Sequence, residues 1–355
     1  MMICLFVQTG LLLYLIQKFH DYNEILVVLS SMSPIFQAAY KVTALHKHSK
    51  RIRFVLNSMW KKFWPHDLAE GTKEAFKSGY ITRLWMMLFL LTTGFLFSLA
   101  SITSPIFSKN RELPYKTLFP FDFHATPIYQ IIYILQIGTH YLIDMSVCGF
   151  DFLFMGICAG LTNQYILLGK TYEQVGTENM VPLYNKIRKL DGRRLLGFGQ
   201  DRKFLRLCIE HHQLLTRTTV VVEEIFNVVA FLQLCSSVLA TCVSGFIATK
   251  DDVSSSQIAI MGPYLIGHLI QLYIYCGVGN ELYQSSSLTH NIFSSNWYDL
   301  DYAHSRKDMI LIMRKAQIPA KLTAFKVFPL NFATFIAVMR LSFSSYTLLA
   351  TITKE

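Results

Sequence analysis

Apolar residues along the chain gather into long runs, with the polar residues in the stretches between them. Seven runs are long enough, or nearly so, to cross a bilayer: residues 2–17, 24–45, 84–107, 128–150, 225–248, 257–281 and 328–350. A hydrocarbon core of about 30 Å needs roughly 20 apolar helical residues, so the first run sits at the lower limit. The fourth does not stop at 150. Its pattern continues to about Leu168, which predicts a helix of roughly 60 Å, twice a membrane thickness. Helical extensions beneath the membrane are expected at 150–168, 200–224 and 298–327. In the last, Met309, Leu311, Ile312, Ala316 and Ile318 alternate with basic groups in an amphipathic pattern. Pro319 and Pro329 bracket the turn into the final run, dividing span 7 into a cytoplasmic helix 7a and a membrane helix 7b. The pattern predicts an all-α, seven-transmembrane protein with one membrane domain over 1–355 and a cytoplasmic helical packing region.

Composition agrees. Hydrophobic residues make up 52% of the 355, charged residues 16%, and mean hydropathy is +0.34, where soluble domains carry roughly a quarter charged residues. Disorder and a disulfide-stapled secreted domain are excluded. The net charge of +10 does not indicate nucleic acid, because Lys and Arg lie between the apolar runs and alternate in density. Segments 41–83, 170–217 and 285–326 hold 26 of them, Lys41 among the first, while the intervening loops and the C-terminal tail hold 6. Basic loops stay inside, so the amino terminus is expected in the cytoplasm and the carboxyl terminus outside. That inverts a G-protein-coupled receptor. No Asp-Arg-Tyr follows the third run, which ends Ser104-Pro105-Ile106-Phe107, and no Asn-Pro-x-x-Tyr closes the seventh. A transporter would show repeat symmetry, and none is visible. The seven cysteines fall in the runs or in a basic loop, so no disulfide framework is expected. Residues 1–17 lack the basic start and small-residue cleavage site of a signal peptide. A chain that begins inside its first span is expected to lack an upstream cytoplasmic segment.

Ionisable groups at membrane depth are functional suspects. His140, Asp144 and Asp151 share one helical face; Asp144 falls near the inner interface and Asp151 beyond it, and a polar stripe packing helices together at the cytoplasmic base is the expected role. Arg340 sits near the middle of the last span and must face protein or water. Ser342, Ser344, Ser345 and Thr347 make one side of that span hydrophilic. Those hydroxyls could bond neighbouring helices, or they could line an aqueous pathway with Leu348 as a constriction that gates by dewetting. Spans 2, 3, 4 and 6 offer Met32, Ser33 and Phe36; Thr93, Gly94, Ser98 and Ser101; Tyr133, Gln136 and Tyr141; Tyr264 and His268. Such a set suits a small greasy ligand, though a generic membrane core reads alike. His211 and His212 are adjacent, point about 100° apart on a helix and read as ordinary helix-surface residues. Soluble catalytic and metal motifs are absent, so neither an enzyme nor a cofactor is expected.

The residues resemble the insect odorant receptor family. Tyr275, Cys276, Gly279 and Leu282 close span 6, and Trp297-Tyr298 follow. Arg306-Lys307, Arg314, Ala316-Gln317 and Pro319 precede Phe328 and Phe335, and Ser342-Phe343-Ser344 and Thr347-Leu348-Leu349 come last. LPYKTLFPFDF before span 4, Asp151 and HHQLL also look like the family. Ser344-Ser345-Tyr346 departs from its more usual Ser-Tyr-Phe, and the Gln-Phe ending of the sister gustatory receptors is missing, although a gustatory-type channel remains the alternative. The resemblance implies an odorant-gated nonselective cation channel in the dendritic plasma membrane of olfactory neurons. It implies a heterotetramer with a co-receptor, held through the cytoplasmic helices. Helix 7b would line the pore, with Leu348 matching the gate, Thr351 and Ile352 the outer mouth, and Ser344 and Arg340 on the same helix. The odorant pocket is expected in the outer halves of spans 2, 3, 4 and 6, at Met32, Phe36, Gly94, Ser98, Tyr141, Tyr264 and His268.

Overall fold

The structure, a computed structural model, describes residues 2–20, 22–68, 72–107, 113–121, 125–191, 199–248, 255–300 and 303–352. Eleven helices appear among them: α1 (Met2–Gln17), α2 (Tyr22–Lys47), α3 (Ser49–Lys61), α4 (Thr72–Phe107), α5 (Ile128–Glu173), α6 (Met180–Asp191), α7 (Gln200–Ala248), α8 (Ser255–Ser285), α9 (Thr289–Phe293), α10 (Ala303–Ala316) and α11 (Phe332–Ile352). Five are long and apolar enough to cross a membrane, and α1 and α11 supply two shorter apolar helices. At 46 and 49 residues, α5 and α7 run about 70 Å each. The expected extensions 150–168 and 200–224 are therefore continuous with their spans.

The helices pack differently in the two halves of the molecule. Lipid is as apolar as leucine, so membrane helices gain little from hiding hydrophobic faces from one another. Accordingly Trp85, Phe89 and Phe95 of α4 and Ile131, Ile134 and Tyr141 of α5 stay exposed. Below the spans, burial removes side chains from water at about 1.5–3 kcal/mol each. There Leu168, Tyr172, Phe204 and Cys208 are completely buried where α5 and α7 run alongside α3, α6, α9 and α10. Between these regions Phe154 stacks on Tyr275 at 4.6 Å and Phe226 lies edge-on to Phe150 at 5.2 Å, binding α5, α7 and α8 together.

Several expectations need correction. Among the described residues, the stretch 298–327 is α-helical only over Ala303–Ala316, preceded by a 3-10 turn at Trp297–Asp299. A hairpin follows, with β1 (Thr323–Ala324) antiparallel to β2 (Phe328–Pro329). Its turn puts Phe325 and Lys326 at φ of 53° and 59°, a region bulky residues rarely occupy. The Phe325 N–H donates to the Asn227 carbonyl at 3.0 Å, and its ring lies 5.2 Å from Phe231, so contacts with α7 hold the turn. Span 7 then starts at Phe332 rather than 328, where the Asn331 side chain accepts the Thr334 N–H at 2.9 Å as an N-cap. Helix α4 starts twelve residues before the expected 84, and α3 and α6 occupy stretches read as polar loops. Lys41, counted with the basic segment 41–83, lies within α2, as the run 24–45 implied, and is buried there, 1% exposed. Lys109, Arg111, Arg193, Arg194, Lys250 and Lys354 of the orientation count lie outside the described residues.

His211 is likewise no surface residue. It is 4% exposed and stacked on Trp64 with ring centroids 3.9 Å apart. Gln164 of α5 accepts the Trp64 N–H at 3.0 Å, donates to the Trp64 carbonyl at 2.8 Å, and meets His211 Nε2 at 3.0 Å. This knot ties the end of α3 to α5 and α7. Burial, then the neighbouring His212, push the His211 pKa down to about 3. Burial, then Lys315, push that of His212 down to about 4. Both imidazoles stay neutral in the folded state while their unfolded counterparts take a proton below 6.5. Stability is therefore complete above pH 6.5 and falls as pH drops towards 3. At pH 5.5 the His211 contribution alone should be smaller by about 1.4 kcal/mol. Melting the detergent-solubilised protein at pH 7.5 and 5.5 measures this, and His211→Gln should flatten the pH dependence.

Candidate ligand cavity and pore-facing helix

A cavity of about 70 Å³ opens between α2, α4, α5 and α8. Prolines help to shape it. Pro34 interrupts α2 and Pro263 interrupts α8, and both line the space. A proline has no N–H to offer the carbonyl four residues earlier, which for Pro34 is that of Ser30. The Tyr264 hydroxyl donates to the Ser30 carbonyl at 3.1 Å, joining α8 to α2 at the carbonyl that Pro34 leaves free. Leu90, Phe97, Ile143 and Val147 give apolar walls, while Gln37, Thr93, Asp144, His268 and Gln271 bring polar groups.

Beneath the cavity lies a charged cluster. Lys41 Nζ is 2.6 Å from Asp151 Oδ1 and 3.3 Å from Gln233 Oε1, and it sits 5.8 Å from the ring centres of both Phe150 and Tyr275. The Tyr275 hydroxyl donates to Asp151 at 2.7 Å, Gln271 Nε2 donates to its other oxygen at 3.0 Å, and Gln233 Nε2 donates to Gln271 Oε1 at 3.0 Å. Gln37 bonds Ser236. Gln37 and Gln271 thus face the cavity and also join the polar layer that reaches α7. Above, residues 113–121 are pinned across the bundle: Tyr115 OH meets His140 Nδ1 at 2.7 Å, its N–H donates to Gln136 at 2.9 Å, and the Leu118 N–H reaches the Gly10 carbonyl at 3.0 Å.

Of the seven residues expected at the pocket, Gly94, Tyr264 and His268 line this cavity. Ser98 meets it only through a hydrogen bond to Asp144. Met32 packs with the upper cluster around α1, and Phe36 and Tyr141, 52% and 61% exposed, point out of the bundle. Pro34, Gln37, Phe97, Pro263 and Gln271 were missed. Prolines inside the second and sixth apolar runs were the available signal.

Helix α11 presents a second feature. Its buried side, with Thr334, Val338 and Ser342, meets α7 and α8, and Tyr346 lies against Gly245. Arg340, Ser344, Thr347, Leu348 and Thr351 are exposed, recurring at helical spacing on one side. The hydroxyls of Ser342, Thr347 and Thr351 bond carbonyls of α11 itself rather than neighbouring helices. Arg340 and Ser344 border an open groove of about 440 Å³ with Phe335, Ile336, Met339 and Phe343. The side chain of Ile352, the last helical residue, lies outside the described residues.

The model of the 7tm Odorant receptor family matches residues 21–343. The chain belongs to that family. It is 26% identical to Odorant receptor Or1 of Anopheles gambiae, over 76% of this chain and 68% of that one. Identity to Odorant receptor 83a of Drosophila melanogaster is 23%, over 76% and 67%. Among solved structures it resembles the insect olfactory receptor OR5 from Machilis hrabei. The TM-score is 0.83 at 16% identity, covering 99% of this chain and 87% of that one. The same receptor in complex with eugenol gives a TM-score of 0.81. The family is one of membrane receptors, not enzymes, and this odorant receptor chain shares that character.

Proposed function

We propose that this odorant receptor is the odorant-binding subunit of a cation channel that it forms with a co-receptor subunit, in a heterotetramer whose pore is lined by α11. The observation that carries the reading is the exposed side of α11. Among the described residues Arg340, Ser344, Thr347 and Thr351 meet no partner helix in the single chain, and such a face is costly against lipid but favourable beside water. Leu348 belongs to it, 63% exposed, as a hydrophobic ring residue that excludes water when four copies converge. The cavity between α2, α4, α5 and α8 is the odorant site, a role supported by the eugenol complex of the structurally similar receptor. Ligand favours a state in which α11 moves outward and the constriction wets. The orientation is amino terminus inside, with residues 1–355 forming one domain in the dendritic plasma membrane of olfactory neurons.

Voltage clamp of cells expressing the chain with and without the co-receptor, under a panel of volatiles, tests the reading. A rapid cation current that requires both subunits and persists when G-protein signalling is blocked is the expected result. Leu348→Ala should raise the standing current without odorant about tenfold or more, a barrier change near 1.4 kcal/mol. Silence with verified surface expression overturns the channel reading.

A further inference from the structure

The polar groups around the cavity are not equally satisfied. Asp151, below it, has Lys41, Tyr275 and Gln271 as partners. Asp144, in its wall, has the Ser98 hydroxyl. Among the described residues no lysine or arginine forms an ion pair with it, and the nearest basic ring, His140 Nε2, stands 3.9 Å away with no hydrogen bond of its own. The Asp144 side chain keeps 25% of its surface open. A carboxylate has about four acceptor positions and offers no donor when ionised, so one bond from Ser98 leaves most of that capacity unused. Across the same cavity His268 is 7% exposed, and its Nδ1 is buried with no hydrogen-bond partner. Unpaired buried polar atoms are rare because each costs about as much as a lost hydrogen bond.

We infer that the cavity takes a small apolar molecule carrying one hydrogen-bond-donating head group, an O–H or N–H, whose proton is accepted by Asp144 and whose heavy atom meets His268 Nδ1. The inference deepens, and rests on, the reading of this cavity as the odorant site. Leu90, Phe97 and Val147 receive the hydrocarbon part, which they do for any volatile of suitable size. Discrimination comes from the head group. A site built to bond a donor rejects an isostere without one far more strongly than an apolar pocket distinguishes a methylene, because the rejected ligand leaves buried groups unpaired. Ethers, ketones and hydrocarbons present no proton to Asp144 and fall in the rejected class. A neutral hydroxyl uses its one proton on the carboxylate, and a protonated amine adds a countercharge. Both share the recognising chemistry.

The test measures ligand-induced thermal stabilisation of the purified receptor complex, independent of current, with n-hexanol, n-hexylamine, methyl pentyl ether, heptane, phenol, anisole and toluene. Donor-bearing members should half-saturate at concentrations at least about tenfold below their matched non-donors. Asp144→Asn, which keeps only a weaker carbonyl acceptor and adds an amide donor, should shrink that preference while leaving heptane and toluene where they were. If n-hexylamine outcompetes n-hexanol by a similar factor, the head group is cationic; the reverse order makes it neutral. Equal potency of phenol, anisole and toluene, or no stabilisation by any member, overturns the inference, as does a substitution that shifts every ligand alike. Should Asp144→Asn not reach the folded state, His268→Phe and the wild-type series decide. A donor preference in stabilisation without odorant-evoked current would preserve this site and sink the channel reading. Current without any donor preference would do the opposite.

Discussion

Lys41→Met is expected to destabilise the bundle by about 3–5 kcal/mol, the range for breaking a buried ion pair from one side. The side chain is of similar length, so the loss is not one of volume. What changes is that Asp151, 1% exposed, keeps its charge without the ammonium 2.6 Å away. The Tyr275 hydroxyl and Gln271 amide remain, but two neutral donors compensate an anion less well than donors with a cation. Gln233 Oε1 also loses its lysine. Asp151→Leu should be similarly harmful, since it strands the cation against Phe150 and Tyr275. The double replacement should recover a large part of the loss, because an apolar pair of similar volume is often neutral at such a position. Thermal midpoints in detergent, with surface expression in cells, measure all three. A single variant that melts with the wild type would show that water already reaches the pair.

Lys41 also shows where reading the sequence stopped. The apolar helices were legible as runs, because an uninterrupted stretch near 20 apolar residues matches the thickness of a bilayer and little else, although α4 begins twelve residues before its run and α11 four residues into its own. The extension of α5 towards Glu173 was legible for the same reason, its apolar pattern outlasting one membrane crossing. The direction each span faces was not. A helix in lipid is apolar on the outside as well as the inside, so its sequence carries little contrast between faces. Phe36 and Tyr141 had the right depth and the wrong side, while Gly94, Tyr264 and His268 had both. Lys41 lay at the polar end of a run, where a lysine in a loop and a lysine drawn into the bundle by Asp151 look alike until the two helices are side by side. The hairpin after α10 was hidden differently. Its turn uses Phe325 and Lys326 at positive φ, where the recognisable signal would be Asn-Gly. Only its contacts with α7 account for it.

The same contrast between a residue and its neighbours sets the expected effect of Gly279→Ala. In an ordinary helix position this change helps by up to about 1 kcal/mol, and Gly149→Ala in α5, with nothing within 4 Å of the added carbon, should stay within that amount of wild type. At Gly279 the new carbon would collide with the Leu330 carbonyl oxygen and stand 2.6 Å from Leu330 Cβ. Neither neighbour can swing away cheaply. Leu330 is 3% exposed and its N–H is held by the Leu322 carbonyl at 2.9 Å. The hairpin behind it is tied to α7 through Thr323 and Glu223 at 2.6 Å. Helix α8 or the entry to α11 must therefore move, at about 1–3 kcal/mol for an overpacked site. Leu330 is followed directly by Asn331, the cap of α11, so the displacement falls on the helix proposed to open the pore. A lower thermal midpoint than that of Gly149→Ala, together with a changed ratio of standing to odorant-evoked current, is the expected outcome. If both variants melt together and conduct alike, the close approach of α8 to Leu330 yields locally and does not set the position of α11.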